Sequence, residues 1–589
     1  MLTGFLMQLS SKIFCAAFSV LAATGPAWAQ GAPPGTPGGA QAIISDSGRL
    51  LPAKARHGMV ASQEARATRV GVEVLKQGGN AVDAAVAVGF ALAVTLPRAG
   101  NLGGGGFMMV HRAASKDTIA IDYRETAPAA ASAGMFLDEK GEPVPAKSRD
   151  SGLAIGVPGT VRGLAHAHRA YGSGKLTLAQ LIAPAIQLAK DGIPVEDDLA
   201  DSLPQAGRLA KHAATRAIFF KGDKPLQAGD MLVQGDLAAT LATIAAQGPE
   251  AFYTGPIAER IVAATRSIGG VMSMADMSGY KVVERKPVTG NYRGHEIVSM
   301  PPPSSGGVHL IQILNILEGF DLKATGPGSA ETLHLMAEAM KPAYADRATF
   351  LGDPDRVKIP VKGLTAKKYA EGQRAGIDPA KARTAAEVKA GNPLPYESDQ
   401  TTHFSVVDKD GNAVANTYTL NFSYGVGLVA EGTGVLLNNE MDDFSAKTGA
   451  QNAYGLVGSD ANSVAPGARP LSSMTPTFVF RDGRLALVTG SPGGSRIITT
   501  TLQVISNVID HGMNLAEAVA APRIHHQWQP DFLLTETGLS PDTLKLLAAK
   551  GHKVQVGTTS GSASSIAATA QGYDGAADPR QRGTLAAGH

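Results

Sequence analysis

The first candidates for functional residues in this sequence are possible metal ligands and possible phosphate-binding loops. His525 and His526 are adjacent, so in a strand they point to opposite faces, and no HExxH motif or spaced Asp/Asn loop accompanies them. Gly103–Gly106 lacks the strand-turn-helix spacing of a nucleotide loop, and Gly172–Lys175 lacks a Ser or Thr after its lysine. We interpret both as tight turns. The sequence therefore predicts no metal and no cofactor, and the absence of a GxSxG elbow disfavours an ordinary serine hydrolase.

A threonine pair is the next candidate. Thr401 and Thr402 lie in the stretch Gln-Thr-Thr-His-Phe-Ser-Val-Val-Asp, which begins at Gln400 and opens a sheet-rich third of the chain. On their own the two threonines need no function, because β-branched residues are favoured in strands. Their chemistry depends on what surrounds them.

Turn signals and apolar spacing predict the elements around these threonines. The segments 403–407 and 413–420 flank Asp410-Gly411, and 477–480 and 485–489 flank Asp482-Gly483, which indicates two β-hairpins. Apolar residues recur on one helical face from Ile498 to Ile509, directly after Gly493-Gly494-Ser495. Sheets covered by helices are the expected packing.

From Gln41 to about Ala390 the sequence has a largely helical pattern, as in Ser62–Gln77 and Leu176–Lys190. The alanine-rich stretch Ala81–Pro97 resembles a membrane helix, but it contains Asp83 and stops at a proline within 17 residues. We predict a buried core helix there.

Composition limits the possible partners. The 589 residues include 53 Lys plus Arg and 51 Asp plus Glu, so no global field attracts nucleic acid or an anionic membrane. One or two domains and a small-molecule partner are expected. Cys15 is the only cysteine, and it lies in the segment that we expect to be removed, so the mature chain has no disulfide or thiolate chemistry.

The N-terminus has the pattern of an export signal. Lys12 precedes the apolar run Ile13–Ala23, and Ala27-Trp28-Ala29 is a small-x-small cleavage pattern. The run is too short for a retained membrane anchor, which is the alternative. We predict a signal peptide over 1–29, a Gly/Pro/Ala linker over 30–40, a fold that starts near Gln41, and a periplasmic or secreted protein.

A dense, ordered set of motifs resembles the γ-glutamyltransferase family along the whole mature chain. The motifs are Asp122–Glu125, Pro303–Gly307, Thr401–Asp408, Thr417–Asn421, Asn438–Phe444, Pro470–Met474 and Gly490–Arg496. The resemblance implies an N-terminal-nucleophile hydrolase of the α+β class, a four-layer αββα sandwich. It also implies autocleavage between Gln400 and Thr401 into a large subunit, 41–400, and a small catalytic subunit, 401–589, which form a heterodimer.

The implied chemistry is acyl transfer by an N-terminal threonine. A hydroxyl needs a base, and a free α-amine with a pKa near 7.7–8.0 can serve, whereas the amide of the precursor cannot. The resemblance assigns Thr401 as nucleophile and Thr419 as the residue that positions it. Gly493 and Gly494 fit an oxyanion hole at a helix start, although a tight turn alone needs the same glycines.

The implied donors are glutathione and other γ-glutamyl compounds, with water, amino acids or dipeptides as acceptors. By resemblance, Arg124, Ser472 and Ser473 bind the α-carboxylate, and Asn421, Glu440 and Asp443 bind the α-amine. Structural alternatives are that Arg124 pairs at the surface with Glu125 or Asp122, and that Asp443 caps a turn.

Relatives carry either Gln or Glu at the position of Glu440, so its effect on donor preference stays open. The stretch 444–469 matches the family's lid loop, with Tyr454 as its gate. Two rival functions remain: a cephalosporin (glutaryl) acylase-like amidase of the same fold, and an inactive glutathione-binding protein.

Overall fold

Two seven-stranded antiparallel sheets form the centre of the protein. The computed structural model describes residues 49–391, 402–447, 460–557 and 561–589. In spatial order, sheet I contains Ala53–Ala55, Gly572–Ala577, Ser564–Thr569, Arg484–Thr489, Thr477–Arg481, His295–Ser299 and Val288–Tyr292. Sheet II contains Leu585–Gly588, Gly58–Ser62, Thr402–Asp408, Ala413–Thr419, Gly105–Arg112, Asp117–Tyr123 and Val283–Arg285.

Apolar side chains on both faces of each sheet explain the layered packing. Met59 lies in the core between the sheets, whereas its neighbour Val60 packs against helices on the other side. In the same way, Phe107 lies in the core between the sheets, and Met108 packs against the helices. Because successive strand residues point to opposite faces, such strands are buried on both sides and read as continuous apolar runs.

Helices cover the outer face of each sheet. Those that share a core with sheet II are Ala65–Lys76, Ala81–Thr95, Thr160–Tyr171, Leu178–Asp191, Gly235–Gln247 and Gly255–Ser267. Those that share a core with sheet I are chiefly Gly306–Leu317, Ala330–Phe350 and Arg496–Ile509. The four layers are therefore helix, sheet, sheet, helix, which confirms the predicted αββα sandwich.

Smaller elements connect these layers. The remaining helices are Pro145–Arg149, Asp197–Gln205, Ala213–Phe219, Glu250–Tyr253, Met274–Gly279, Leu322–Thr325, Val361–Leu364, Lys367–Arg374, Leu515–Ala520 and Pro541–Ala549. The short strands are Ile193–Pro194, Phe220–Lys221, Lys224–Pro225, Met231–Leu232, Val429–Ala430, Val435–Leu436, Ile524–His525, Leu533–Glu536 and Val554–Gly557.

Both predicted hairpins and the predicted helix are present. Thr402–Asp408 pairs with Ala413–Thr419, and Thr477–Arg481 pairs with Arg484–Thr489. The helix Arg496–Ile509 starts directly after the glycine turn. The predicted helix at 62–77 is shorter than expected, because Ser62 ends a strand and the helix spans Ala65–Lys76.

The alanine-rich stretch forms the helix Ala81–Thr95, whose residues are all buried. Asn80 accepts hydrogen bonds from the N–H groups of Val82 and Asp83, and the Asp83 carboxylate accepts one from Asn80, so this core helix has a capping box. Within the described ranges, no helix is both long and apolar enough to span a bilayer.

The largely helical interpretation of residues 41–390 was incomplete. This part of the chain supplies three strands to sheet I and four to sheet II, including the interior strand Gly105–Arg112. The sandwich is thus built jointly by segments on both sides of residues 392–401.

Truncating the core between the sheets tests the layered packing. Phe478 is fully buried, with its ring centroid 6.2 Å from that of Phe480. We expect Phe478→Ala to lower the free energy of unfolding by about 3–5 kcal/mol, because it removes apolar contacts and leaves a cavity. Leu546→Ala, at a residue that is 54% exposed, should change it by less than about 0.5 kcal/mol. Denaturant unfolding measures both; equal losses would contradict this packing.

Candidate active site

The guanidinium of Arg124 is buried at the end of the strand Asp117–Tyr123. Its side chain is 1% exposed. Its Nε donates to the Pro470 carbonyl oxygen at 3.1 Å, and Nη2 donates to the Leu471 carbonyl oxygen at 3.1 Å. The backbone carbonyl of Arg124 accepts a hydrogen bond from the Tyr280 hydroxyl at 2.8 Å. The guanidinium is thereby fixed beside the segment that leads into Ser472 and Ser473.

Three carboxyl groups share this one guanidinium. Glu440 Oε1 lies 2.5 Å from Nη1, Asp443 pairs with Nη2, and Glu125 Oε2 is 3.8 Å from Nη1. Burial, together with the negative charge of Glu440, raises the pKa of Glu125 and of Asp443 well above the usual range, and burial also raises the pKa of Glu440. The cluster therefore has more acidic groups than Arg124 can neutralise.

Asn421 brings an amide to the same region. It follows the strand Ala413–Thr419 and has a φ of 72°, a left-handed conformation that asparagine tolerates better than most residues. Its N–H donates to Thr419 Oγ1 at 2.8 Å, and its Nδ2 donates to the Asn439 carbonyl oxygen at 2.9 Å. Its buried Oδ1 has no hydrogen-bond partner in the described part of the chain. That oxygen is available to accept from a ligand.

Two glycines allow these groups to approach one another. A β-carbon at Gly104 would overlap the carbonyl oxygen of Thr419, and one at Gly105 would lie 2.6 Å from Glu125 Oε2. Gly103–Gly106 thus permits close packing of sheet II against the site. This differs from the tight turn that we predicted there.

Ser472 and Ser473 are both buried, and neither is more than 2% exposed. Ser472 Oγ accepts a hydrogen bond from the Met474 N–H at 3.1 Å. Ser473 Oγ accepts one from the buried Arg347. The two hydroxyls lie directly after the carbonyl groups that hold Arg124.

Gly493 and Gly494 make the predicted turn before a helix. Their φ values are 126° and 67°, so a side chain at either position would be strained. Their carbonyl oxygens accept from the N–H groups of Arg496 at 3.2 Å and Ile497 at 2.8 Å, which starts the helix Arg496–Ile509. The turn is therefore at a helix N-terminus, where negative charge is favoured.

Thr402 is the first residue of the strand Thr402–Asp408, and it pairs with Tyr418, the neighbour of Thr419. The next residue, His403, is fully buried, with Nδ1 2.8 Å from Thr417 Oγ1 and Nε2 3.1 Å from Ser405 Oγ. Burial lowers the pKa of His403 to about 3, so the ring is neutral at physiological pH. Together with the Thr417 and Ser405 hydroxyls, His403 forms a buried polar network that adds no charge to the site.

Comparison with known proteins decides which family shares this arrangement. The model of the gamma-glutamyltranspeptidase family matches residues 67–588. The chain belongs to the gamma-glutamyltranspeptidase family. It is 57% identical over 541 residues to the glutathione hydrolase proenzyme of Escherichia coli K12, covering 91% of this chain and 93% of that protein.

Solved structures agree with this family assignment. A cephalosporin acylase from Bacillus halodurans aligns with a TM-score of 0.80 at 26% identity, over 94% of this chain and 99% of its own. A gamma-glutamyltranspeptidase from Helicobacter pylori aligns with a TM-score of 0.55 at 45% identity, over 58% of this chain and 96% of its own. The predicted N-terminal-nucleophile hydrolase fold is confirmed.

The structure brings nine of the site residues that the family resemblance implied into one region. They are Arg124, Thr419, Asn421, Glu440, Asp443, Ser472, Ser473, Gly493 and Gly494. Arg124 contacts Glu440 and Asp443 directly, and Asn421 contacts Thr419 and the Asn439 carbonyl beside Glu440. Ser472 and Ser473 directly follow Leu471, whose carbonyl accepts from Arg124. Tyr344 links the glycine turn to the serines, because its hydroxyl donates to the Ser495 carbonyl and its ring packs on Arg347. Gln400, Thr401 and Tyr454 lie outside the described residues.

The ends of the predicted lid loop also lie at this site. Ser445 N–H donates to the Asn462 carbonyl oxygen at 2.9 Å, and Asn462 Nδ2 donates to the Asp443 carbonyl oxygen at 2.7 Å. The loop therefore leaves and returns beside a predicted ligand-binding carboxylate.

The surface alternative for Arg124 is wrong, because its side chain is 1% exposed and Glu125 is 0% exposed. Glu125 is the residue that the sequence interpretation missed: it was treated as a surface partner, yet it is a third buried acid of the cluster. Its position next to Arg124 in the sequence was the one signal that could have indicated that Glu125 belongs to the site. His525 is also accounted for structurally, since its Nδ1 lies 2.9 Å from Thr499 Oγ1 and its Nε2 2.9 Å from Gln527 Oε1.

The crowded acids predict a pH-dependent stability. A carboxyl group whose pKa is raised on folding binds more protons in the folded than in the unfolded state, so its contribution to stability is lost as pH rises above the unfolded pKa, about 4.3 for Glu. Glu125→Gln removes one such group. We expect its thermal midpoint to exceed that of the wild type by an amount that grows from pH 5 to pH 8.

The matched control is Glu139→Gln, which alters an exposed glutamate and should follow the wild-type curve throughout. Thermal melts between pH 5 and 8 provide the measurement. A Glu125→Gln curve parallel to the wild type would show that Glu125 carries no raised pKa.

Proposed function

We propose that this protein is a γ-glutamyltransferase with glutathione hydrolase activity that activates itself by cutting between Gln400 and Thr401. The charge balance around Arg124 carries the proposal. One guanidinium faces three buried carboxyl groups, so the pocket lacks a positive charge. The α-ammonium of a γ-glutamyl group supplies that charge.

The same pocket can hold both ends of an amino-acid zwitterion. Asn421 Oδ1, Glu440 and Asp443 provide acceptors for the ammonium. Arg124 and the hydroxyls of Ser472 and Ser473 provide donors for the α-carboxylate, and a planar guanidinium suits that task. A γ-glutamyl donor held in this way has its α-carbon fixed, which directs its side-chain amide away from the charged cluster.

In the proposed reaction, the Thr401 amine takes the proton of its own hydroxyl, and the oxygen attacks the γ-carbonyl carbon. Thr419 positions the nucleophile, and the N–H groups of Gly493 and Gly494 stabilise the oxyanion. The C–N bond then breaks, and the leaving amine takes the proton from the Thr401 ammonium. Water or an acceptor amine cleaves the resulting ester, releasing glutamate or a new γ-glutamyl amide and restoring Thr401.

Self-cleavage is the step that creates the base. In the intact chain the nitrogen of Thr401 is an amide, which has no basic lone pair. The Thr401 hydroxyl attacks the Gln400 carbonyl, the peptide becomes an ester, and water releases the two chains. In the sequence, residue 401 directly precedes Thr402, the first residue of the strand Thr402–Asp408.

The two products, 41–400 and 401–589, would stay together as a heterodimer. The strand Thr402–Asp408 pairs with Gly58–Ser62 on one side and Ala413–Thr419 on the other. Sheet I likewise combines strands from both segments. Separating the chains would break backbone pairing in both sheets and expose the core between them.

The remaining proposals concern location and partners. We infer removal of a signal peptide over 1–29, a linker over 30–40, and a periplasmic or secreted mature enzyme. Amino acids and dipeptides act as acceptors in competition with water.

Maturation is tested by the chain pattern on a denaturing gel. The purified wild type should give two bands, of which the smaller begins with Thr401 by N-terminal sequencing. Thr401→Ala should remain one uncut band without transferase activity, because the nucleophile is absent. Thr402→Ala, which keeps the nucleophile, should still be cut. An uncut wild-type chain that turns over γ-glutamyl donors would refute the proposal.

Donor selectivity separates this function from its glutaryl acylase rival. A glutaryl anilide retains the carboxylate but lacks the α-amine, so we expect its kcat/KM to be about 10- to 100-fold below that of the γ-glutamyl anilide, the usual effect of one lost charged hydrogen bond. Asp443→Asn should lower kcat/KM for the γ-glutamyl anilide but not for the glutaryl anilide, so the ratio of the two values should decrease. A preference for the glutaryl anilide would establish the rival, and binding of glutathione without turnover of either anilide would indicate an inactive binding protein.

A further inference from the structure

We propose that Arg347 is a positioning residue that orients the Ser473 hydroxyl toward the α-carboxylate of the donor. The inference rests on the proposed function and deepens it. It concerns a residue outside the motifs that pointed to the family, and it follows from the direction of the hydrogen bonds behind the two serines.

Arg347 lies on the helix Ala330–Phe350 and is 1% exposed. Its Nη2 donates to Ser473 Oγ, and its Nε donates to Ser305 Oγ at 3.1 Å. Its Cζ lies 5.5 Å from the centroid of the Tyr344 ring. The guanidinium is thus held by a stacking contact and by two serine hydroxyls.

The direction of the hydrogen bonds from Arg347 to the two serines is fixed, because an arginine side chain can only donate. Ser473 Oγ must therefore accept from Arg347, and its own proton is left to donate to another group. The Ser473 carbonyl oxygen accepts from Thr475 Oγ1 at 2.8 Å, which holds the backbone of this residue. A hydroxyl whose proton is left to donate is suited to a carboxylate ligand.

The second bond of Arg347 reaches Ser472 through Ser305. Ser305 Oγ accepts from Arg347 and donates to the Ser472 carbonyl oxygen at 2.8 Å. Ser305 N–H donates to the same oxygen at 2.7 Å. One guanidinium therefore fixes the side chain of Ser473 directly and the backbone of Ser472 indirectly.

Arg347 also places a second buried cation on the serine side of the pocket. Arg124 is shared by three acids, so its charge is largely balanced before a ligand binds. A cation behind Ser473 polarises its O–H bond, and charge-assisted hydrogen bonds are the stronger kind.

Donor analogues that each lack one charge distinguish this role from a merely structural one. Glutaryl anilide keeps the carboxylate, and 4-aminobutyryl anilide keeps the amine but lacks the carboxylate. In Arg347→Gln we expect kcat/KM to fall about 10- to 100-fold for the γ-glutamyl and glutaryl anilides, mainly through KM. The 4-aminobutyryl anilide should change less than about twofold, since it lacks the group that the hydroxyl binds. Inhibition constants of L-glutamate, glutarate and 4-aminobutyrate should follow the same pattern.

A double-mutant cycle tests whether Arg347 acts through Ser473. Arg347→Gln combined with Ser473→Ala should lose little more γ-glutamyl activity than Ser473→Ala alone. Arg347→Lys keeps the positive charge but loses the planar arrangement of N–H donors. It should therefore have more γ-glutamyl activity than Arg347→Gln and less than the wild type. Arg481→Gln, at an arginine that is 70% exposed, is the matched control and should behave as the wild type.

Each failure has its own signature. A wild-type enzyme that does not turn over γ-glutamyl anilide refutes the proposed function. A wild type that is active, with an Arg347→Gln variant whose losses are equal for all three anilides or additive with Ser473→Ala, refutes the role of Arg347. If Arg347→Gln is not cut into two chains, Ser305→Ala replaces it, with a smaller loss expected for the same two carboxylate-bearing donors.

Discussion

The pairing of the strand Thr402–Asp408 within sheet II is the constraint on which the rest of the structure depends. Its residues are all buried, so its register cannot slip without exchanging the two faces. Phe404 packs on the helix side and Val407 between the sheets. A shift by one residue would also remove His403 from its hydroxyl partners. The register therefore fixes the position of Thr402 at the end of sheet II that carries the site.

That register also determines which groups surround the site. Ala413–Thr419 is the antiparallel neighbour, so Thr419 and Asn421 follow at the same end of the sheet. Gly105–Arg112 pairs with that strand in turn, and Asp117–Tyr123 follows it, delivering Arg124 and Glu125. Hydrogen bonding across four adjacent strands thus assembles polar groups that are about 300 residues apart in the chain.

The sequence predicted those elements whose signals are local. Asp410-Gly411 and the alternating residues beside it were enough for a hairpin, because turn type fixes the pairing. Gly105–Arg112 was missed because a strand buried on both faces shows no alternation of apolar and polar residues. The burial of Arg124 could not be predicted locally, since its partners Glu440 and Asp443 come from a distant segment. Family resemblance identified these residues, but physical reasoning from spacing alone did not.

The acidic cluster is costly to the folded protein, and under the proposed function this cost favours donors that carry an ammonium group. Three carboxyl groups beside Arg124 resist ionisation together, so the empty pocket must hold extra protons or bear repulsion. A ligand with an ammonium relieves that imbalance, whereas a glutaryl analogue, which has the carboxylate alone, adds a negative charge without a compensating positive one. Because the fold itself is shared with acylases, the proposed function requires the choice of substrate to come from this charge balance and from the donors on the serine side. Specificity of this kind depends as much on the penalty for the wrong ligand as on contacts with the right one.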